Sequence, residues 1–169
     1  MTNVTRRTSR RGPTTEQLRV WRAFVETTAE LRSVLGSRMQ AASGLSSGDY
    51  AVLLALSEAG GRRLRSSELA DEVAWERSRL SHHLGRMERR GLVRREPCET
   101  DNRGAWVVLT PSGADAFRRS SVTHLHDVRE LFVDALTVQQ LAAVADATAA
   151  LQARLPDRRR AAGRGREDD

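Results

Sequence analysis

The chain of 169 residues is 39% hydrophobic but only 4% aromatic, and its net charge of +6 comes from 28 basic against 22 acidic residues, with every Lys/Arg position an arginine. That balance favours a polyanionic partner. The single cysteine, Cys98, excludes an intramolecular disulfide framework and fits a reducing compartment. The start shows no apolar leader and the longest apolar run, Tyr50 to Leu56, is too short to span a bilayer, so the expectation is a soluble, cytoplasmic protein with no membrane partner.

Residues 1–13 carry Arg6, Arg7, Arg10 and Arg11 without periodicity and read as a disordered basic arm. Thr14 with Gln17 matches a capping box. From there Leu18, Trp21, Phe24, Val25, Thr28, Leu31, Val34, Leu35 and Met39 keep helical spacing to Ser43–Gly44. That helix is roughly 40 Å long, more than a small domain needs. Ser46 or Ser47 caps a second helix carrying Tyr50, Leu53, Leu54 and Leu56, and Gly60–Gly61 stops it. Arg62 to Arg65 suits a short strand. Ser66 then caps a short helix through Val73, with Leu69, Ala70 and Val73 on its buried face. Ala74 and Trp75 make the turn into the next helix, a turn that lacks a glycine.

The stretch from Glu76 to Gly113 organises the rest. Leu80, Leu84 and Met87 fall at i, i+4 and i+7 and pack inward, whereas Arg79, His82, Arg86, Arg89 and Arg90 lie largely off that stripe. From Arg77 to Arg95 the arginines are opposed by Glu88 alone. The first dozen residues hold +4, and the tail after Leu155 sets five arginines against four acids, so the body is nearly neutral and this concentration is local. Gly91 ends the helix, and Val93–Cys98 and Trp106–Leu109 read as strands flanking a polar hairpin tip. Two short helices joined by a tight turn, the second basic and followed by a hairpin, have the form of a winged helix-turn-helix that reads DNA. The plainer alternative is a solvated surface helix.

Thr110 caps the following helix with Pro111 at its first position. Phe117, Val122, Leu125, Val128, Leu131 and Phe132 mark its apolar face. Thr137 with Gln140 opens a last helix through Leu141, Val144, Ala145, Thr148, Leu151 and Leu155, which Pro156 ends. Residues 156–169 form a charged tail expected to be disordered. The long first helix and the last two helices carry apolar stripes that a small winged domain leaves uncovered. A homodimer covers them, and a monomeric bundle is the alternative. The expected fold class is mainly α with a small β-hairpin, a winged helix-turn-helix with N- and C-terminal dimerisation helices. The folded domain spans 14–155, with the winged helix-turn-helix at about 46–110 and dimerisation helices at about 14–43 and 110–155.

Asp101-Asn102-Arg103, then Trp106-Val107-Val108-Leu109-Thr110-Pro111-Ser112-Gly113, with Arg86-Met87-Glu88-Arg89-Arg90-Gly91-Leu92-Val93 upstream, resemble the MarR family of bacterial transcription regulators. The agreement in element order runs from about Thr15 to Leu155. The resemblance implies a homodimeric repressor, bound to double-stranded DNA at a pseudo-palindromic operator and released by a small aromatic or phenolic effector. It places Arg103 at a wing tip, where a guanidinium can enter a narrow minor groove, with Asp101 holding it; an ordinary turn salt bridge is the alternative. Ser78, Arg79, Ser81, His82 and Arg86 match the family's major-groove helix, in which Arg suits guanine, and Arg77 beside them is a further DNA-binding candidate. Ser66 and Ser67 suit a phosphate contact or plain capping. In the family the effector lies between the dimerisation helices and the DNA-binding lobe, so Trp21, Arg22, Phe24 and Tyr50 become ligand candidates, with core packing as the alternative. Trp75-Glu76-Arg77 departs from the small polar start usual for the family's recognition helix.

Cys98 lies before the wing and not near the N-terminus, so it reads as a bystander thiol. His126 with Glu130 is the one favourable pair for a metal, and two ligands do not make a site. No phosphate-binding glycine loop, nucleophile elbow or zinc-protease helix occurs; no enzyme, cofactor or metal is expected. A nonspecific architectural DNA binder is the competing function.

Overall fold

In a computed structural model describing residues 12–98 and 105–155, the chain divides after Val34 into two compact units. The first is the leading part of α1 (Thr15–Ser43). Thr14 starts it: its N–H donates to Gln17 Oε1 at 2.8 Å and its Oγ1 accepts from Gln17 N–H at 3.2 Å, the capping box read from sequence. Leu18, Trp21, Phe24 and Val25 are exposed along it.

The second unit holds everything from Leu35. α1 ends there on Gly44, whose φ of +68° suits a glycine. α2 (Ser47–Glu58) follows, capped by Ser46. A short 3-10 turn leads into β1 (Arg63–Arg65), α3 (Ser66–Glu72) and α4 (Arg77–Arg89). β2 (Val93–Pro97) and β3 (Ala105–Leu109) form the wing strands, antiparallel from Val93↔Leu109 to Pro97↔Ala105. β1 joins the other edge of β3, giving the order β1-β3-β2. The short strand expected at Arg62–Arg65 forms at Arg63–Arg65 and makes a three-stranded sheet of the expected hairpin.

The core lies where α2, α3 and α4 meet this sheet. Leu53 and Leu56 of α2, Leu69 of α3, the stripe Leu80–Leu84–Met87 of α4, and Val107 of β3 are each 0–1% exposed. Burying each such side chain contributes about 1.5–3 kcal/mol. α5 (Pro111–Val128) starts on Thr110, whose Oγ1 accepts from Gly113 N–H at 2.9 Å and donates to Gly91 O at 2.7 Å. The last element, α6 (Val138–Gln152), is capped by the Thr137–Gln140 box, and no residue in it is buried within the chain.

Two local readings differ. Ser66 is the first helical residue of α3 and not its cap; its hydroxyl donates to Ala105 O at 3.1 Å and ties the helix to the wing. Glu68 instead reaches back, accepting from Arg65 N–H at 2.9 Å. The helix expected through Phe132 is α-helical only to Val128. It then widens into a π turn, Arg129–Val133, closed by Asp134 N–H on Arg129 O at 2.8 Å.

Candidate nucleic-acid interface

α4 buries Leu80, His83, Leu84 and Met87. Its other side leaves Arg77, Ser78, Arg79, Ser81, His82, Arg86 and Arg89 exposed. The two adjacent histidines therefore separate by the helical repeat, His82 outward and His83 inward. Glu76 occupies the N-cap position without a side-chain cap bond.

The arginines of this region fall into two groups. Arg90 donates from Nη1 to Asp49 Oδ2 and from Nη2 to Gly44 O, both at 2.8 Å. Arg95 of β2 donates from Nη2 to Ser81 O at 2.8 Å, and its backbone N–H to Glu88 Oε1 at 3.0 Å. Arg94 donates from Nε to Glu96 Oε1 at 2.7 Å. Arg77, Arg79, Arg86 and Arg89 have no carboxylate partner among the described residues. Arg90 was counted with the outward cationic face and is instead turned back against α2, because a buried carboxylate there needs a counter-charge.

Two of the unpaired arginines are nevertheless held. The Arg79 guanidinium carbon stacks 4.4 Å from the Trp75 ring centroid. Arg86 Nη2 donates to His83 Nδ1 at 2.8 Å. That bond requires an unprotonated Nδ1, so His83 is neutral with its proton on Nε2, assigned from its partners. Nε2 lies 3.0 Å from Asp49 Oδ1, close enough for electrostatic attraction but too poorly aligned for a good hydrogen bond. Burial pushes the His83 pKa below its ordinary value. The Asp49 charge opposes that shift and the Arg86 charge adds to it.

Asp49, 3% exposed, sits behind α4, against His83 and Arg90. It accepts from Arg90 and also from Ser46 N–H at 2.9 Å, the latter closing the α2 capping box, and it faces His83 Nε2. Burial raises its carboxyl pKa, but the bond from Arg90, the Ser46 N–H and the Arg90 charge together hold it below the ordinary value. Sequence reasoning missed Asp49, His83 and Trp75. The Ser46-x-x-Asp49 spacing and the four-residue step from Trp75 to Arg79 were the available signals.

Ser66 and Ser67 are half-buried at the start of α3. Asp101 and Arg103 lie outside the described residues. The ladder that brings β2 and β3 together ends at Pro97–Ala105, just short of them. On the sheet, Arg63 and Arg65 stack over Trp106 at 4.8 and 5.4 Å. Cys98 is buried at the end of β2.

Of the effector candidates, Trp21, Arg22 and Phe24 are exposed on α1 in the first unit. In the second unit, half-buried Tyr50 packs on Phe117 and His124 with ring centroids 5.1 and 4.8 Å away, its hydroxyl 3.3 Å from Ser121 Oγ. Among the described residues no helix is long and apolar enough to cross a membrane.

A three-stranded wing sheet behind a basic, outward-facing second helix defines a winged helix-turn-helix DNA-binding regulator. A profile described as "MarR family" matches residues 43–104. The crystal structure of AbsC, a MarR family transcriptional regulator from Streptomyces coelicolor, is 39% identical, with 81% of this chain and 92% of that one covered at a TM-score of 0.75. Sco3205, a MarR family regulator from the same organism solved in complex with DNA, is 35% identical over 86% of this chain and 91% of that one, at a TM-score of 0.80. The organohalide-sensing regulator RdhR-CbdbA1625, in its 2,4-dichlorophenol-bound form, shares the fold at 16% identity, with 85% and 86% covered and a TM-score of 0.71. No curated protein matches. The chain belongs to the MarR family of DNA-binding transcription regulators, a family of regulators and not of enzymes.

Proposed function

We propose that this protein is a cytoplasmic homodimeric repressor that occupies a pseudo-palindromic operator and leaves it when a small aromatic or phenolic effector binds. The observation that carries the DNA-reading role is the outer face of α4. Arg77, Arg79, Arg86 and Arg89 are exposed there without carboxylate partners among the described residues, beside Ser78, Ser81 and His82. Arg79 and Arg86 are the base readers, since a guanidinium matches the O6/N7 edge of guanine. Arg77 and the hydroxyls of Ser66 and Ser67 serve the phosphates. The sequence Asp101-Asn102-Arg103 supplies the wing contact. Sco3205, solved with DNA, supports the same use of the fold.

The dimer is supported by the uncovered faces: Val122 and Leu125 of α5 and Val138, Val144 and Leu151 of α6 are exposed in the single chain. The effector is supported by the dichlorophenol complex of RdhR-CbdbA1625 and by the aromatic setting of Tyr50, with Trp21, Arg22 and Phe24 as the remaining candidates.

Selection of bound DNA from a random pool tests the reading. A twofold dimer returns an inverted repeat with half-sites about one helical turn apart. A pool without a preferred site would assign the protein to the nonspecific architectural class.

A further inference from the structure

The two arginines assigned above to base reading are the two that the structure restrains, and by different means. They lie two helical turns apart on α4, hence on one face. Arg79 lies over the Trp75 ring at 4.4 Å. A cation–π contact with the ring uses none of the guanidinium N–H donors in a hydrogen bond and leaves them for a base edge. Arg86 gives one Nη2 hydrogen to His83 Nδ1 and keeps its other donors.

The restraining side chains are themselves fixed from behind. Trp75 meets the His83 ring edge-on, with centroids 5.0 Å apart and planes at 81°. Both press on Gly48 of α2, where an added Cβ would meet Trp75 Cη2 at 2.8 Å and His83 Cε1 at 3.0 Å. Asp49 Oδ1 stands 3.0 Å from the far nitrogen of His83, and Arg90 holds that carboxylate. A continuous set of packed groups thus runs from α2 through His83 and Trp75 to the two guanidinium groups.

We propose that Trp75 and His83 are positioning residues for DNA recognition, holding Arg79 and Arg86 in fixed poses before DNA arrives and so setting the selectivity of base reading. This rests on the assignment of α4 as the reading helix. An arginine on an exposed helix otherwise samples many rotamers, and a freely moving guanidinium satisfies several bases nearly as well as one. Fixing one rotamer-rich side chain in advance is worth about a 2- to 10-fold gain in binding to the matching site. A nonmatching base gains nothing from it.

Competition binding of the full-length protein to the selected operator and to each of its single-base variants, at one salt concentration and alongside melting curves, tests the proposal. Arg79→Ala and Arg86→Ala each identify the base pair that the arginine reads. Trp75→Leu, which removes the π face, should lower discrimination at the Arg79 base pair by about 2- to 10-fold, and Trp75→Phe should retain most of it. The His83 pair is independent and keeps the test open if Trp75→Leu does not fold. An asparagine amide falls near the Nδ1 position and a glutamine amide near Nε2. His83→Asn should therefore keep discrimination at the Arg86 base pair, and His83→Gln should lose it.

A purely structural role would move melting temperature and the affinity for all sequences together, with the two His83 variants alike, and that result would overturn the proposal. If Arg79→Ala and Arg86→Ala leave the base profile unchanged, the reading assignment itself fails and the proposal with it. If they change the profile while Trp75→Leu and His83→Gln do not, only the positioning role fails.

Discussion

Arg90, at the end of α4, donates to the Asp49 carboxylate at 2.8 Å across 41 residues of sequence. One partner is 43% exposed at its side chain and the other 5%. The pair therefore clamps the exposed end of α4 to a buried carboxylate in the first turn of α2. The same guanidinium satisfies Gly44 O, a carbonyl at the end of α1. Arg90 is in this way a structural cation next to a helix whose Arg77, Arg79, Arg86 and Arg89 face outward, and it fixes the direction in which α4 presents them.

Arg90→Ala should destabilise the fold by about 2–3 kcal/mol, because it leaves a buried carboxylate without its counter-charge. Arg89→Ala, one residue earlier and without an ion pair among the described residues, should change stability by no more than about 0.5 kcal/mol. Denaturant titrations of the two variants provide the comparison. Equal losses would show that the Asp49 clamp adds nothing beyond ordinary surface electrostatics.

Stability should also fall on acidification in two stages. The folded pKa of His83 is depressed below 6.5, chiefly by burial. As pH drops through 6.5, the unfolded chain takes up this proton before the folded one does, so stability declines until the folded pKa is reached. The folded pKa of Asp49 lies below 3.8: burial raises it but the Arg90 bond and the Ser46 N–H outweigh burial. Its contribution is present above 3.8 and lost as pH falls through the folded value. Denaturant midpoints between pH 8 and pH 5 for the wild type and His83→Asn would isolate the first stage. The slope should be shallower in the variant, and identical slopes would remove His83 as its source.

Gly113→Ala should cost about 3 kcal/mol in a melt, through overpacking of backbone against backbone. A Cβ there would overlap the Leu92 carbonyl oxygen and lie 2.9 Å from the Leu92 carbonyl carbon. Neither atom belongs to a flexible side chain. Thr110→Ser should be milder, since the hydroxyl that accepts Gly113 N–H and donates to Gly91 O is retained.

Features encoded within one turn were legible from sequence. The Leu80–Leu84–Met87 stripe, the boxes at Thr14 and Thr137 and the Thr110 start are set by neighbours three or four residues away, and each is where the spacing put it. Partners separated by tertiary folding were not legible. Charge pattern alone placed Arg90 with the outward arginines, because its acceptor lies on another helix. Ser66 had the composition of a cap, but its hydroxyl meets Ala105 O, 39 residues away. The four-residue spacing of Trp75 and Arg79 is local and was readable, yet which face of α4 the tryptophan serves depends on the room left by Gly48. The π turn after Val128 has no residue signature in the sequence.

Ala74, in the turn between α3 and α4, has a φ of +55°. Its N–H bonds to Asp71 O at 3.2 Å and the next N–H, from Trp75, to Ala70 O at 2.9 Å, so the turn is hydrogen-bonded despite its left-handed residue. For an L-residue with a Cβ that conformation costs about 1–2 kcal/mol, partly offset in glycine by greater chain entropy lost on folding. Ala74→Gly should therefore stabilise the protein by about 0.5–1 kcal/mol, read as a higher denaturant midpoint with an unchanged slope. A lower midpoint would mean that packing of the Ala74 methyl outweighs the backbone strain.

The proposed dimer can be tested apart from the fold because the residues proposed to hold it are exposed in the single chain, Leu125 at 64% and Leu151 at 53%. α6 buries no residue within its own chain. A helix of this composition is stable in water only when an apolar face is covered. Leu125→Asp and Leu151→Asp place a carboxylate on that face without touching the core around Leu53, Leu84 and Val107. Each should lower the mass measured by sedimentation equilibrium from two chains toward one. Operator affinity should fall by about 10²–10⁴-fold, because two linked half-site contacts revert to independent ones. Affinity for an isolated half-site should change far less, since α4 and the wing are unaltered. An unchanged mass in both variants would place the subunit contact elsewhere. An unchanged operator affinity in a monomeric variant would show that a single winged domain reads the site alone.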